Sequence, residues 1–340
     1  MALFKRNIDF MGIRRRAFAF SGVLIVASVV LIAVRGLNFG LDFSGGTVVE
    51  LAFDAPVSAA QLREQLDACG FHGAVVQTLG TDADVLVRVP PQDAEAQRAV
   101  ESGPCQLTGA AAAAALDAEA TTSSTSSADN LGHTIADRLH AVLKQQFKVQ
   151  RNEFVGPAVG AELREQGGLA ILAAIGLVLV YVLFRFTFKL AIGAIVALLH
   201  DPIVTLGAFA LFQWEFDLSV LAAVLAVLGY SINDSIVVAD RIRENFRVVR
   251  RGTPAEVVNL SINQTLDRTV MTSATTLLTM IALFFFGGDV VHGFATAMII
   301  GIVIGTYSSI YVSATFALIL GMKREDLLEI KREQLDDGRP

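Results

Sequence analysis

Leu218 to Asn245 reads LSVLAAVLAVLGYSINDSIVVADRIREN, and this stretch decides the fold. From Leu218 to Ala239 the only charged residue is Asp234, with Asn233 beside it. At 1.5 Å per residue such a run crosses the roughly 30 Å hydrocarbon core of a bilayer. It therefore reads as a membrane-spanning helix that carries a carboxylate. An ionised group in hydrocarbon costs roughly 2.5–3.5 kcal/mol even on lenient insertion scales, so a chain that keeps one has a partner or a task for it. The sequence offers a partner in Arg268.

The rest of the chain has the same character. Of its 340 residues 53% are hydrophobic and 18% charged, and mean hydropathy is +0.55, too apolar for a soluble protein of this size. Further apolar runs cover 17–35, 167–185, 190–212, 270–287 and 293–320, which with 218–239 predict six spanning helices. Lys and Arg fix the orientation. Eighteen of the 27 lie in residues 1–16, at Arg185 and Lys189, in the 240–269 loop and in the 321–340 tail. The opposite short loops, 213–217 and 287–292, hold none, so both termini are expected in the cytoplasm. Residues 1–16 alternate basic and apolar residues and predict a short interfacial helix on the cytoplasmic surface.

Residues 36–166 form the one large polar region. Its patterns predict strand Thr47–Phe53, helix Ser58–Cys69, strands Ala74–Leu79 and Asp84–Val89, helix Leu131–Phe147 and strand Val149–Val155. That order is βαββαβ, the split βαβ arrangement of a ferredoxin-like α+β domain, expected on the exterior side of the membrane and so, by the resemblance given below, a periplasmic domain. Residues 92–130, with an alanine run and TTSSTSS, read as a low-complexity insertion.

Several chemistries find no support. The five histidines have no second ligand at helical spacing and Cys69 and Cys105 no metal-like spacing, so no metal is expected. No phosphate-binding GxxxxGK[ST] loop occurs, nor any nucleophile with a base, so the chain is not expected to be an enzyme, to need a cofactor or to bind nucleic acid.

The polar residues inside the spans are the candidates for function. In 190–212, His200, Asp201 and Pro202 fall near mid-membrane, Asp201 lying ~16 Å along from Leu190. Asp201 either takes part in ion passage or is protonated and bonded to a neighbouring helix. Asp234 lies ~9 Å inside the cytoplasmic end of its helix. Balanced between burial and a guanidinium, it either exchanges protons or stays in a permanent pair with Arg268. Arg268, Thr272, Thr275, Thr276 and Thr279 make one polar stripe, either a water-lined path or hydroxyls that satisfy carbonyls within the bundle. Its alignment with the helix bearing Asp234 favours the path. Small residues recur every fourth position from Gly293 through Gly301 and Gly305 to Ser313, a close-packing face. In Phe39–Thr47, FGLDFSGGT, the glycines Gly40, Gly45 and Gly46 around Asp42 read as a hinge or coupling elbow after the first helix, or as a turn feeding the first strand.

The chain resembles the SecD/SecF family, in its SecF branch. The resemblance rests on FGLDFSGGT (Phe39–Thr47), VGPAVGAEL (Val155–Leu163), His200–Asp201, GYSINDSIVVADRIREN (Gly229–Asn245), RRGTP (Arg250–Pro254) and TLDRTVMTSATT (Thr265–Thr276). It implies half of a twelve-helix, pseudo-symmetric transporter of the resistance-nodulation-division superfamily. Its six helices would pair with six of SecD in the bacterial inner membrane. The task implied is to use the proton-motive force, with protons as coupling ion, to promote preprotein export beside SecYEG and YajC. By position, Asp234 would be the proton-relay carboxylate and Arg268 its companion, with Asn233, His200, Asp201, Thr272 and Thr276 completing the relay. Two other classes remain open on the residues alone: an exporter half for small lipophilic solutes, and a structural scaffold of the translocon.

Overall fold

The computed structural model describes residues 8–78, 83–91, 135, 139 and 146–326. Two compact units result, Phe39–Gly167 and the combination of Met1–Asn38 with Gly168–Pro340. The first long helix, α1 (Arg14–Arg35), opens on Arg14 to Arg16, is mostly apolar from Ala17 to Val34, and ends at Gly36, whose φ of 70° stops it.

The Phe39–Gly167 unit is built on a four-stranded antiparallel sheet. Its elements are β1 (Gly46–Phe53), α2 (Ala59–Ala68), β2 (Val75–Thr78), β3 (Asp84–Val89) and β4 (Phe147–Val155), and the strand order is β2-β3-β1-β4. That order puts β3 between β1 and β2, the split βαβ topology expected from the sequence. Alternation does the sorting: Val49, Leu51 and Phe53 of β1 and Val85, Val87 and Val89 of β3 are buried on one face. Leu62 and Leu66 of α2 cover them, together with Ile135 and Leu139, both helical and fully buried. Of the expected helix 131–147, these two residues lie within the described part, along with Gln146 and Phe147. Phe147 belongs to β4 and pairs with Phe53, so the strand starts two residues before its predicted place. The insertion at 92–130 lies outside the described residues. Cys69, buried at the end of α2, is disulfide-bonded.

The second unit is a bundle of helices long and apolar enough to cross a membrane, six in number among the described residues. After α1 these are α3 (Pro157–Arg185), α4 (Phe188–Phe212), α5 (Leu218–Val248), α6 (Pro254–Phe286) and α7 (Asp289–Ser308). The last continues through a π-helical turn, Ser309–Ser313, into α8 (Ala314–Ile319). Asp217 caps α5 by accepting from Val220 N at 2.8 Å, and Thr253 with Glu256 forms a capping box on α6 behind Pro254.

Five expectations need correction. The 240–269 loop is helix at both ends, with only Val249 to Thr253 between α5 and α6. Ile242 and Phe246 bury on one side and Val258, Ile262 and Leu266 on the other, so an amphipathic hairpin continues where the apolar runs stop. The helix expected to begin at 167 begins at Pro157, and the one expected at 270 begins at Pro254. The run 293–320 starts at Asp289 and is interrupted by the π turn. Finally, of the interfacial helix expected over 1–16, residues 1–7 lie outside the described residues, Phe10 to Gly12 form a turn and Arg14 to Arg16 open α1, and the backbone before α1 is held by α6. Asn259 Oδ1 accepts from Phe10 N at 2.8 Å and Met11 N at 3.1 Å, while Asn263 Oδ1 accepts from Ile8 N at 2.9 Å.

Candidate functional site

Asp234 stands on the face of α5 turned to α6 and is 2% exposed. The two helices run antiparallel, and polar pairs fix their register. Tyr230 Oη donates to Ser273 Oγ at 3.1 Å, and Asn245 Nδ2 donates to Ser261 Oγ at 2.8 Å. Ser273 in turn shares a 2.7 Å hydrogen bond with Thr306 Oγ1 of α7. Asp234 thus sits in a polar seam between three helices, and its Oδ2 has no hydrogen-bond partner among the described residues.

Arg268 lies on α6 and is exposed on the bundle surface. Its guanidinium acts electrostatically on Asp234, yet no ion pair within 4 Å joins them among the described residues. The pairing of the two residues open from the sequence is thus not a direct contact at that distance. Asn233 is exposed beside Asp234. Thr272 and Thr276 are half-buried and Thr275 and Thr279 exposed, and all four hydroxyls donate within their own helix. Thr272 Oγ1 donates to Arg268 O at 3.0 Å and Thr276 Oγ1 to Thr272 O at 2.9 Å. The stripe thus satisfies carbonyls of α6 itself and leaves the oxygen lone pairs facing outward with Arg268.

A second polar cluster surrounds Asp201. His200 Nδ1 lies 2.9 Å from Asp201 Oδ1, and both side chains are fully buried. Asp201 Oδ2 accepts from Ser308 Oγ at 2.8 Å and from Ser231 Oγ, tying α4 to α5 and α7. Thr205 Oγ1 donates to Asp201 O at 2.8 Å, within the turn that carries Pro202. Gly305 lies against this cluster: a Cβ there would meet Asp201 Oδ2 at 3.4 Å and Ser231 Cβ at 3.5 Å. A Cβ on Gly301 would collide with the Val227 side chain, so both glycines pack within the chain. Ser231 and Ser308 were missed in the sequence, although each lies within three residues of a feature already singled out, Asp234 and Gly305.

In the Phe39–Gly167 unit, the expected elbow is a tight backbone crossing. Gly45 and Gly46 have φ of 70° and 118°, which glycine alone adopts freely. A Cβ on Gly45 would meet Pro157 Cα at 3.0 Å, one on Gly160 would meet Gly45 N at 2.9 Å, and one on Gly46 would strike Val89 O. The FGLDFSGGT and VGPAVGAEL stretches are therefore packed backbone to backbone. Gly40 has a φ of −65°, open to any residue, so its freedom is unused here. Asp42 occupies the first turn of the short helix Leu41–Ser44 that leads into the crossing. Arg88 Nη2 holds the same turn by donating to Phe39 O at 2.8 Å and to Ser44 Oγ.

Six helices long and apolar enough to cross a membrane, a small α+β domain and a double-glycine crossing together define the class: a multi-pass membrane protein with an extramembrane domain. The model of the family described as "Protein export membrane protein SecD/SecF, C-terminal" matches residues 134–323, and that of the "SecD/SecF GG Motif" matches residues 30–57. Protein translocase subunit SecF of Escherichia coli O157:H7 is 44% identical over 336 residues, covering 99% of this chain and 95% of that one. Its counterpart in Pseudomonas aeruginosa is also 44% identical, covering 98% of each. The crystal structure of SecDF from Thermus thermophilus, a translocon-associated membrane protein, is similar with a TM-score of 0.76 at 36% identity. It covers 94% of this chain, which spans 40% of that longer one. The chain belongs to the SecD/SecF family of protein export membrane proteins, in its SecF branch.

Proposed function

We propose that this chain is the SecF half of a proton-driven accessory to preprotein export, completed by a SecD subunit. The observation that carries the reading is Asp234: a buried carboxylate with one oxygen unpartnered, next to a surface stripe of Arg268, Thr272, Thr276 and Asn233. An arginine on the membrane face of a bundle is costly unless another protein surface covers it, and six helices of SecD would do so. The longer SecDF chain, of which this one spans 40%, supports the same division of labour.

In this reading Asp234 carries the proton. Arg268 answers its charge through space, and Asp201 with His200 holds the adjoining helices in register. A proton crossing ~100 mV yields about 2.3 kcal/mol, so several per cycle drive a movement of the external domain on an emerging polypeptide. The Gly45–Gly46 crossing couples that movement to the helices. Both termini lie in the cytoplasm, the membrane is the bacterial inner membrane, and SecYEG and YajC are neighbours. The test is preprotein export into inverted inner-membrane vesicles with SecD and the channel present. Asp234→Asn should abolish the stimulation that depends on the proton-motive force. Stimulation that survives with the same dependence on membrane potential rules the relay out.

A further inference from the structure

A groove on the bundle surface runs between the start of α1 and the end of the last membrane helix. It encloses about 470 Å³ and is lined by Ile13, Arg16, Ala17, Phe20, Tyr307 and Tyr311. Hydrogen bonds pin its two walls together: Tyr307 Oη donates to Ala17 O at 2.6 Å and accepts from Ser21 Oγ at 3.1 Å. Aromatic rings follow one another along it. Phe20 and Tyr307 meet edge to face with centroids 6.1 Å apart, Tyr307 and Tyr311 lie at 5.2 Å, and Tyr311 meets Phe10 at 6.0 Å. On α1, Ile13, Arg16 and Phe20 are spaced by three and four residues and so share one face. The Arg16 backbone lies ~6 Å along the helix axis from that of Phe20.

The open end of the groove is cationic. Arg14, Arg15 and Arg16 make the first turn of α1, which holds no acid, and its cap, Ile13, supplies no side-chain acceptor. The positive end of a helix dipole thus coincides with three guanidinium groups, an arrangement that an anion relieves. Asp9 is the one acid before α1, and it turns Oδ1 to Gly12 N at 2.9 Å. Arg14 Nη1 donates to Met11 O at 3.0 Å. The Arg16 guanidinium makes no ion pair or hydrogen bond among the described residues, and the Tyr311 hydroxyl no hydrogen bond.

A cation and an O–H donor at the mouth, with aromatic walls leading inward from the first turn of a spanning helix, suit a ligand with an anionic head and a hydrocarbon tail. Free phosphate would leave the rings uncovered. An apolar helix of another protein would strip water from Arg16 without supplying a counter-charge. We infer that the groove seats one anionic phospholipid of the leaflet in which α1 begins. Its phosphate lies on Arg16 and Tyr311, and one acyl chain runs along Tyr307 and Phe20.

The test is native mass spectrometry of the chain assembled with SecD, released from vesicles of equal parts phosphatidylglycerol and phosphatidylcholine. The unaltered assembly should retain phosphatidylglycerol in preference to phosphatidylcholine. Arg16→Gln should cut retention of one phosphatidylglycerol roughly five- to tenfold, the loss of one cation at the membrane surface. Tyr311→Phe should lower it by less, and Arg16→Lys should keep most of it. Arg15→Gln removes the same charge outside the groove and should have a much smaller effect. Equal losses in Arg15→Gln and Arg16→Gln, or no loss in either, overturn the site. With p-benzoylphenylalanine in place of Phe20, light should cross-link the chain to lipid. Cross-linking to SecD or to a second copy of the chain instead overturns the lipid as occupant.

Discussion

Ser308 donates a hydrogen bond to Asp201 Oδ2 at 2.8 Å, joining the last membrane helix to the third at a wholly buried carboxylate. Ser231 binds the same oxygen from α5, so three helices converge on one atom. The π turn follows Ser308 directly, and extra-residue turns of this kind recur where a helix must present side chains to a site. Ser308→Ala should lower stability by about 1–3 kcal/mol, the penalty of an underpaired buried polar group, read as a lower thermal unfolding midpoint in lipid.

Glycines on the same helices separate backbone from side-chain constraints. A Cβ at Gly193 would strike the Ser313 carbonyl of the π turn, and one at Gly301 the Val227 side chain, whereas Gly229 has nothing within 4 Å. Backbone yields less than a rotatable valine. Alanine should therefore be most damaging at Gly193 and less so at Gly301. At Gly229 it should be neutral or favourable by up to about 1 kcal/mol from helix propensity. Unfolding midpoints of the three single variants check the order.

The segment before α1 is held by side chains from far along the chain. Asn259 alone serves Phe10 N, Met11 N and Ile8 O. Asn259→Ala should free this strap while leaving the bundle folded, and limited trypsin digestion should then cut at Arg14 to Arg16 much faster than in the unaltered chain.

At the other end Asp326 accepts from Lys189 Nζ at 2.7 Å and from Lys323 N at 2.7 Å. The Lys189 hydrogen bond first, and the Lys323 amide next, hold its carboxyl below the usual value of 3.8. A depressed carboxylate stabilises the fold above its unfolded value and loses that contribution as pH falls through the lower folded value. Asp326→Asn should therefore speed amide exchange at Lys323 at neutral pH. The difference from the unaltered chain should shrink as pH falls below about 3.8.

The six apolar runs and the βαββαβ order were legible because length and alternation report the environment each residue meets. Helix ends were not, because hydropathy marks where the bilayer stops and not where backbone hydrogen bonding stops. The Thr253–Glu256 capping-box pattern, some sixteen residues before the apolar run, is the signal that marks the true start of α6 and that hydropathy passes over. No local pattern could reveal the strap at residues 8–11, since its partners Asn259 and Asn263 lie about 250 positions away. For Asp234 and Arg268, spacing put both at a similar depth. It could not say that the long arginine turns to the bundle surface while the acid turns inward.

In the proposed function Asp234 carries protons across the membrane once SecD covers the Arg268 face. Proton flux into vesicles containing the SecD-assembled chain, driven by an imposed potential, tests it most directly. Flux is expected in the unaltered assembly, and Asp234→Asn should abolish it. Flux of unchanged size in that variant would contradict the proposal.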